Sequence, residues 1–213
     1  MTMVTAGAPL VGYAAAIAGL PCRRVDDDGG HSQLPVRRWH SRAEPALRRL
    51  LDRCSGTTLD VGCGPGRLSV ELAERGIAVL GIDTSPTAVR LTRARGAHAL
   101  RRSVFDALPD EGRWRHILLA DGNIGICGDP VALLRRCLGL IRPDGTILVE
   151  VDQPGTGWWR GRSRLRYPRG ESPPFAWARV GLDAVPTLMA QLPLRVRRVL
   201  GYDGRWFTEL GQP

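Results

Sequence analysis

A short β-prone run, Thr57-Thr58-Leu59-Asp60-Val61, ends in Gly62-Cys63-Gly64-Pro65-Gly66 and passes directly into a helical pattern carrying Leu68, Val70, Leu72 and Ala73. Alternate glycines let a strand turn sharply into a helix, and they leave backbone that a ligand can approach without meeting a Cβ. The helix start adds free N–H groups and the positive end of a dipole, which suit a carboxylate or a phosphate. The next apolar run, Ile77 to Ile82, ends at Asp83. A carboxylate at that strand end is placed to accept both hydroxyls of a ribose. The spacing is GxGxG, with Pro65 before the third glycine, and departs from the GxGxxG of dinucleotide-binding turns.

The pattern around this turn repeats strand and helix. Leu47, Leu50, Leu51 and Cys54 recur at helical spacing, and Ser41 with Glu44 predicts a capping box before them. Ser85-Pro86 and Asp129-Pro130 read as helix starts, each an N-cap followed by Pro at the first helical position. Ala97–Arg101, His116–Ala120 and Thr146–Val151 read as strands, with a turn at Pro143-Asp144-Gly145. Alternation of this kind over residues 41–152 predicts an α/β fold with a doubly wound, mostly parallel sheet covered by helices on both faces. Ligands bind such sheets beyond the carboxyl ends of the strands. Residues 1–40 are poorly patterned and read as an N-terminal extension. They hold a short helix within Leu10–Leu20, a turn at Asp26–Gly30, and extended candidates at Cys22–Val25 and Leu34–Trp39.

Charge and cysteine usage narrow the setting. The 213 residues carry a net charge of +9, and all 30 basic residues are Arg. A patch for a polyanion is one source of that charge, and a genome rich in G and C is the other. No apolar run approaches the ~18 residues needed to cross a bilayer. The apolar N-terminal stretch precedes its arginines rather than following them, which is the reverse of a secretory signal. Five scattered cysteines with no CxxC and no zinc-like spacing predict no metal site and suit a reducing cytoplasmic location.

The stretch Asp60–Gly66 closely resembles the first motif of class I S-adenosylmethionine-dependent methyltransferases. Gly81-Ile82-Asp83-Thr84-Ser85 resembles their second motif, and Ser103-Val104-Phe105-Asp106-Ala107-Leu108-Pro109 their adenine-contacting segment. Leu140 to Val149 resembles the turn and fifth strand. The resemblance spans residues 41–152 and implies a Rossmann-like, seven-stranded sheet that ends in an antiparallel hairpin. The alternating Leu194–Leu200 and Arg205–Leu210 segments suit that hairpin. It implies S-adenosyl-L-methionine as cofactor, held by Asp60, Gly62, Cys63, Gly64, Gly66, Asp83, Thr84, Phe105, Asp106 and Ala120. The methyltransferase domain then covers residues 41–213.

The acceptor is less constrained. Asp121, in Ala120-Asp121-Gly122-Asn123, stands where the fourth strand of that fold ends and is the candidate general base; a loop or helix-dipole role is the other reading. Asn123, the chain's single Asn, is the second catalytic candidate, through a specific polar contact; a turn role is the other reading. His98 and His116 fall at strand starts, the wrong end of the sheet for catalysis, and read as structural. Residues 153–178 read as a substrate-covering insert with Trp158, Trp159, Arg160 and Trp177 as candidate substrate contacts. A small-molecule acceptor, anionic or aromatic, is the leading expectation. The alternatives are methylation of RNA, favoured by the charge and by Arg160–Arg169, and a non-catalytic cofactor-binding regulator.

Overall fold

A computed structural model describes residues 10–213. The first nine residues of the extension lie outside the described residues.

Residues 58–211 form the doubly wound unit. Its strands are β3 (Thr58–Val61), β4 (Val79–Asp83), β5 (Ala99–Arg101), β6 (Trp114–Leu119), β7 (Ile141–Val151), β11 (Arg195–Tyr202) and β12 (Arg205–Gly211). They lie in the order β11-β12-β7-β6-β3-β4-β5. The five strands from β7 to β5 run parallel, and β12 returns antiparallel between β7 and β11. β6 shows why both faces are covered: Ile117 and Leu119 belong to one apolar cluster, while Leu118 and Ala120 belong to the other. On the first face lie α6 (Pro130–Leu140), with Leu133, Leu134 and Cys137, and α7 (Val185–Met189), with Leu188. On the second lie α3 (Pro45–Leu51), with Leu47, Leu50 and Leu51, and α4 (Arg67–Glu74), with Leu68 and Leu72. α5 (Pro86–Ala94) packs beside α4 and supplies buried Val89. Burying a Leu of this kind contributes roughly 1.5–3 kcal/mol.

A second sheet uses both flanking regions. It contains β1 (Arg23–Asp26), β2 (His31–Gln33), β8 (Trp158–Tyr167), β9 (Gly170–Glu171) and β10 (Phe175–Val180), in the order β10-β8-β1-β2 with β9 beside β8. β1 pairs directly with β8, Arg24 opposite Leu165. The extension and the insert are therefore parts of one sheet. Gly181 and Asp152 join it to the end of β7 through a parallel bridge. Two helices of the extension, α1 (Leu10–Ile17) and α2 (Val36–His40), complete a small core of Ala16, Cys22 and Val36.

Several local expectations are corrected. Leu34–Trp39 is not extended, because Pro35 starts the helix α2, whose Val36 and Trp39 turn into the small core. Ser41 is not an N-cap: its hydroxyl donates to Arg38 O, and α3 begins one turn later with Glu44 at the cap position and Pro45 inside it. The turn expected at Pro143–Gly145 lies inside β7, where the pairing with β6 shifts register between Trp114 and His116. After the insert the chain forms a 3₁₀ turn at Leu182–Ala184 followed by the five-residue α7.

Candidate functional site

All four residues of β3 are buried, so the strand delivers its C-terminal turn to the middle of the sheet's carboxyl edge. Gly62, Gly64 and Gly66 all have positive φ, at +69°, +54° and +86°. The requirement is strictest at Gly66, where a Cβ would stand 2.7 Å from the Thr92 side chain and 2.9 Å from its Cα. Thr92 Oγ1 also donates to Gly64 O at 2.9 Å, fastening the loop to α5. Asp60 is 2% exposed and accepts from Ser69 Oγ at 2.7 Å, tying the strand end to α4. Burial pushes its carboxyl up to about 6, against the opposing effect of the Ser69 bond. Burial also raises the Cys63 thiol well above its ordinary value, so Cys63 is a packing residue under Gly81 rather than a nucleophile.

Asp83 ends β4 beside this loop. Its Oδ2 accepts from Gly64 N–H at 3.0 Å and its Oδ1 from Ser85 N–H at 2.8 Å. Thr84 follows, its carbonyl taken by Arg101 Nε at 3.3 Å. Phe105 is 42% exposed in the turn after β5, where Asp106 Oδ2 accepts from Ser103 N–H at 2.8 Å. The exposed ring and the exposed acidic turn lie on the same flank of the sheet as Asp83. Ala120 is buried at the end of β6. Asn123 donates through Nδ2 to Val61 O at 2.8 Å and Gly62 O at 3.1 Å. It makes a specific polar contact, and the contact braces the glycine loop.

Asp121 reaches the expected strand end, with φ +54°. Its carboxylate, however, is held by Arg67 Nη2 at 2.5 Å and Arg205 Nη2 at 2.9 Å. Arg67 also pairs with Glu44, and Arg205 with Glu150 at 2.7 Å. Glu150 in turn accepts the Asp121 N–H at 2.6 Å. The Arg67 side chain is only 3% exposed, while the other four members of this cluster of two cations and three carboxylates are 13–26% exposed, so the cluster is part-buried with Arg67 at its inner end.

The insert splits its residues between two faces. Register puts Trp159, Gly161, Ser163 and Leu165 of β8 on one face with Trp177 and Arg179 of β10 and Arg24 and Asp26 of β1. This face turns to the cofactor cleft: the Trp177 indole lies against Gly122 and Gly125 at the end of β6. Arg24 stands 5.5 Å from the Trp177 ring centroid and Arg179 stands 4.9 Å from that of Trp159. Trp158 and Arg160 belong to the opposite face. Trp158 packs on the main core, and Arg160 donates to Gly128 O at 3.0 Å and pairs with Asp129 at 3.2 Å. Arg164 and Arg166 both pair with Glu171. Sequence reasoning brings together the glycine loop, Asp83 and the Trp159–Trp177 face. It misses Tyr13, Arg67, Glu150, Arg205 and Arg24, whose partners are remote along the chain.

A glycine loop feeding a helix, a buried strand-end carboxylate and an aromatic-walled flank define an α/β protein that holds a nucleoside-bearing small cofactor at the carboxyl edge of its sheet. The comparisons agree. A family model described as "Methyltransferase domain" matches residues 58–145. A "SAM-dependent methyltransferase" from Bacteroides fragilis, solved in complex with S-adenosyl-L-homocysteine, superposes with a TM-score of 0.80 at 25% identity over 96% of each chain. The CcbJ methyltransferase from Streptomyces caelestis shares the fold, with a TM-score of 0.60 over 80% of this chain and 97% of that one at 14% identity. The "Ubiquinone biosynthesis O-methyltransferase" of Xanthomonas campestris pv. campestris is 30% identical over 156 residues. That match covers 62% of this chain, which spans 57% of the length of the curated relative. Residues 58–145 match a methyltransferase domain, and the fold and cofactor site are those of class I S-adenosylmethionine-dependent methyltransferases. Its own residues fit that cofactor: the glycine loop holds positive φ at Gly62, Gly64 and Gly66, and the buried strand-end carboxylate of Asp83 stands directly beside it, accepting from Gly64 N–H.

Proposed function

We propose that the protein transfers a methyl group from S-adenosylmethionine to a small planar acceptor seated between the end of β6 and the cleft-facing side of the second sheet. The observation that carries this reading is Trp177, which closes over Gly122 from a sheet that backs it with Arg24. A flat, apolar wall beside cationic groups suits an aromatic acceptor bearing oxygen or a negative charge. The relatives named for O-methylation in ubiquinone biosynthesis support a small-molecule acceptor. RNA is the weaker reading, because Arg160, Arg164 and Arg166 are met within the chain by Asp129 and Glu171. Five free thiols suit a cytoplasmic setting.

When bound, the cofactor supplies an activated methyl group. Asp83 accepts the ribose hydroxyls, Phe105 and Asp106 flank the adenine, and the loop from Gly62 to Gly66 carries the amino-acid end. Asp121, its charge held by two guanidiniums, acts as a positioning residue that fixes the turn at Asp121–Gly122 beneath the acceptor. Trp159 and Trp177 exclude water and orient the acceptor for in-line attack.

Calorimetry with S-adenosylhomocysteine tests the cofactor half of the reading. Asp83→Ala is expected to weaken binding at least about tenfold, as loss of hydrogen bonds to a charged group implies, with the far-ultraviolet spectrum unchanged. Equal affinity overturns it. Labelled-methyl transfer into fractions of a metabolite extract, rather than into its RNA, tests the acceptor half.

A further inference from the structure

One carboxylate at the carboxyl edge of the sheet is left without a partner. Asp152 follows the last residue of β7. Leu119 pairs with Val149, and continuing that register brings Asp152 level with Gly122, the residue that the Trp177 indole covers. The second sheet fixes its backbone from the other side. Its N–H donates to Val180 O at 2.8 Å, and its carbonyl accepts from Leu182 N–H at 3.0 Å. The joint between the two sheets therefore holds Asp152 at one corner of the acceptor's seat.

The other carboxylates around this seat are occupied. Both oxygens of Asp121 take guanidinium groups, and Glu150 takes Arg205 and the Asp121 N–H. Asp26 accepts from Ser163 and Arg24, Asp28 pairs with Arg179 at 2.8 Å, and Asp183 accepts from Gly155 N–H at 2.8 Å. Among the described residues the Asp152 side chain has neither a hydrogen bond nor a cation in ion-pair reach. It is open to the cleft, yet the protein packed around its carboxyl raises the pKa above the ordinary value. Arg24 and Arg179 oppose that rise from a distance, and Asp26 adds to it. A carboxylate made more basic and left free is suited to removing a proton.

We infer that Asp152 is a catalytic base that takes the proton of a phenolic hydroxyl as its oxygen attacks the methyl group. The inference rests on the small planar acceptor proposed above and narrows it to a phenol. A phenol has a pKa of about 10, as in tyrosine, so near neutral pH its proton leaves only as the new bond forms. The acceptor oxygen forms the O–C bond with the methyl group, and the electrons of the broken S–C bond stay on sulfur. The O–H proton passes to an Asp152 oxygen and from there to water. The products are a methyl ether and S-adenosylhomocysteine.

The test is labelled-methyl transfer from S-adenosylmethionine into a fractionated metabolite extract, with calorimetry of S-adenosylhomocysteine beside it. Asp152→Asn keeps the shape of the side chain and is expected to leave that affinity unchanged. Its transfer into the active fraction is expected to be at least about a hundredfold slower, the lower end of what base catalysis supplies. Asp152→Glu, which keeps the carboxylate, is expected to recover part of the rate. The label is expected to resist mild alkali, as an ether does. Transfer by Asp152→Asn at the rate of the unaltered protein overturns the base and leaves the acceptor reading standing. Weakened cofactor affinity in Asp152→Asn also overturns it, and makes the residue a support for the cleft. Label released by mild alkali marks a methyl ester, and label on nitrogen an amine; either overturns the phenol. If the unaltered protein labels RNA alone, or nothing, the acceptor reading falls and the base with it.

Discussion

His116 shows how a single residue can be legible in position yet hidden in consequence. Ser55 N–H donates to its Nε2 at 3.1 Å, so the ring proton sits on Nδ1 and faces Thr146 Oγ1 at 2.8 Å. Burial lowers its pKa to about 4 from the ordinary 6.5. Protonation of Nε2 would break the Ser55 bond, so the native state holds the ring neutral. The unfolded chain takes up a proton below pH 6.5 that the native chain refuses until about pH 4. Stability from this residue is complete above pH 6.5 and falls through that window, by about 3 kcal/mol at the limit. Asp60 opposes it: with a native pKa of about 6 against an ordinary 3.8, it gains stability from acidification between those values. The total slope also includes the raised carboxyls of Asp83 and Asp152 and the lowered ones of Glu111 and Glu171, but a difference between variants isolates the histidine. His116→Gln keeps an acceptor for Ser55 and does not titrate. Urea unfolding is expected to show the unaltered protein losing ground to His116→Gln as pH falls from 7 to 4.5. A pH-independent difference would refute the assignment.

At the scale of elements, the glycine loop separates two reasons for glycine. Gly66 and Gly76 both have positive φ, +86° and +74°. An added Cβ at Gly76 meets nothing within 4 Å, whereas at Gly66 it meets Thr92, backbone included. Gly76→Ala is expected to cost about 1 kcal/mol from backbone strain alone. Gly66→Ala is expected to cost at least about 2 kcal/mol, as core overpacking does, and to abolish S-adenosylhomocysteine binding. Equal losses in thermal unfolding would show that conformation, not close approach, sets the requirement. The loop was legible because its cause is local: three glycines, one strand and one helix within the seventeen residues Thr58–Glu74. The parallel sheet and α5, capped by Ser85 with Pro86 behind it, were legible for the same reason. The second sheet was not. β1 and β2 have four and three residues, too few to show alternation, and β1 pairs with β8 more than 130 positions away. α2 was misread because its five residues show no helical period. Asp121 could be placed at its strand end, but its capture by Arg67 and Arg205 depends on contacts 54 and 84 residues apart.

The whole molecule is two sheets sharing one cleft, and seven of its 30 arginines lie on strands of the second. The basic residues that flag a polyanion in composition alternate along one face of β8 and find Glu171 and Asp129 there. What holds that sheet together is Asp26, whose side chain is 1% exposed. It accepts from Ser163 Oγ at 2.6 Å and Arg24 Nε at 3.0 Å, and pairs with Arg179 at 3.5 Å, linking β1, β8 and β10. Asp26→Ala leaves the Arg24 guanidinium and the buried Ser163 hydroxyl without their partner, while Arg179 keeps Asp28 at 2.8 Å, a loss of several kcal/mol where it falls. Among the described residues the two sheets are joined by the Asp152–Gly181 bridge, the Arg160 contacts, the seat of Trp177, and Trp158 and Val180, which pack on the main core. Parts of a fold held by separate sets of contacts open with different free energies. Asp26→Ala is therefore expected to raise tryptic cleavage after Arg162, Arg164 and Arg166 at least about tenfold, because proteolysis tracks the population of the open form. The urea midpoint followed by far-ultraviolet dichroism, dominated by the helices on the seven-stranded sheet, is expected to move little. If cleavage and midpoint change by the same free energy, the two sheets unfold as one unit, and the second is not an independently opening cover for the cleft.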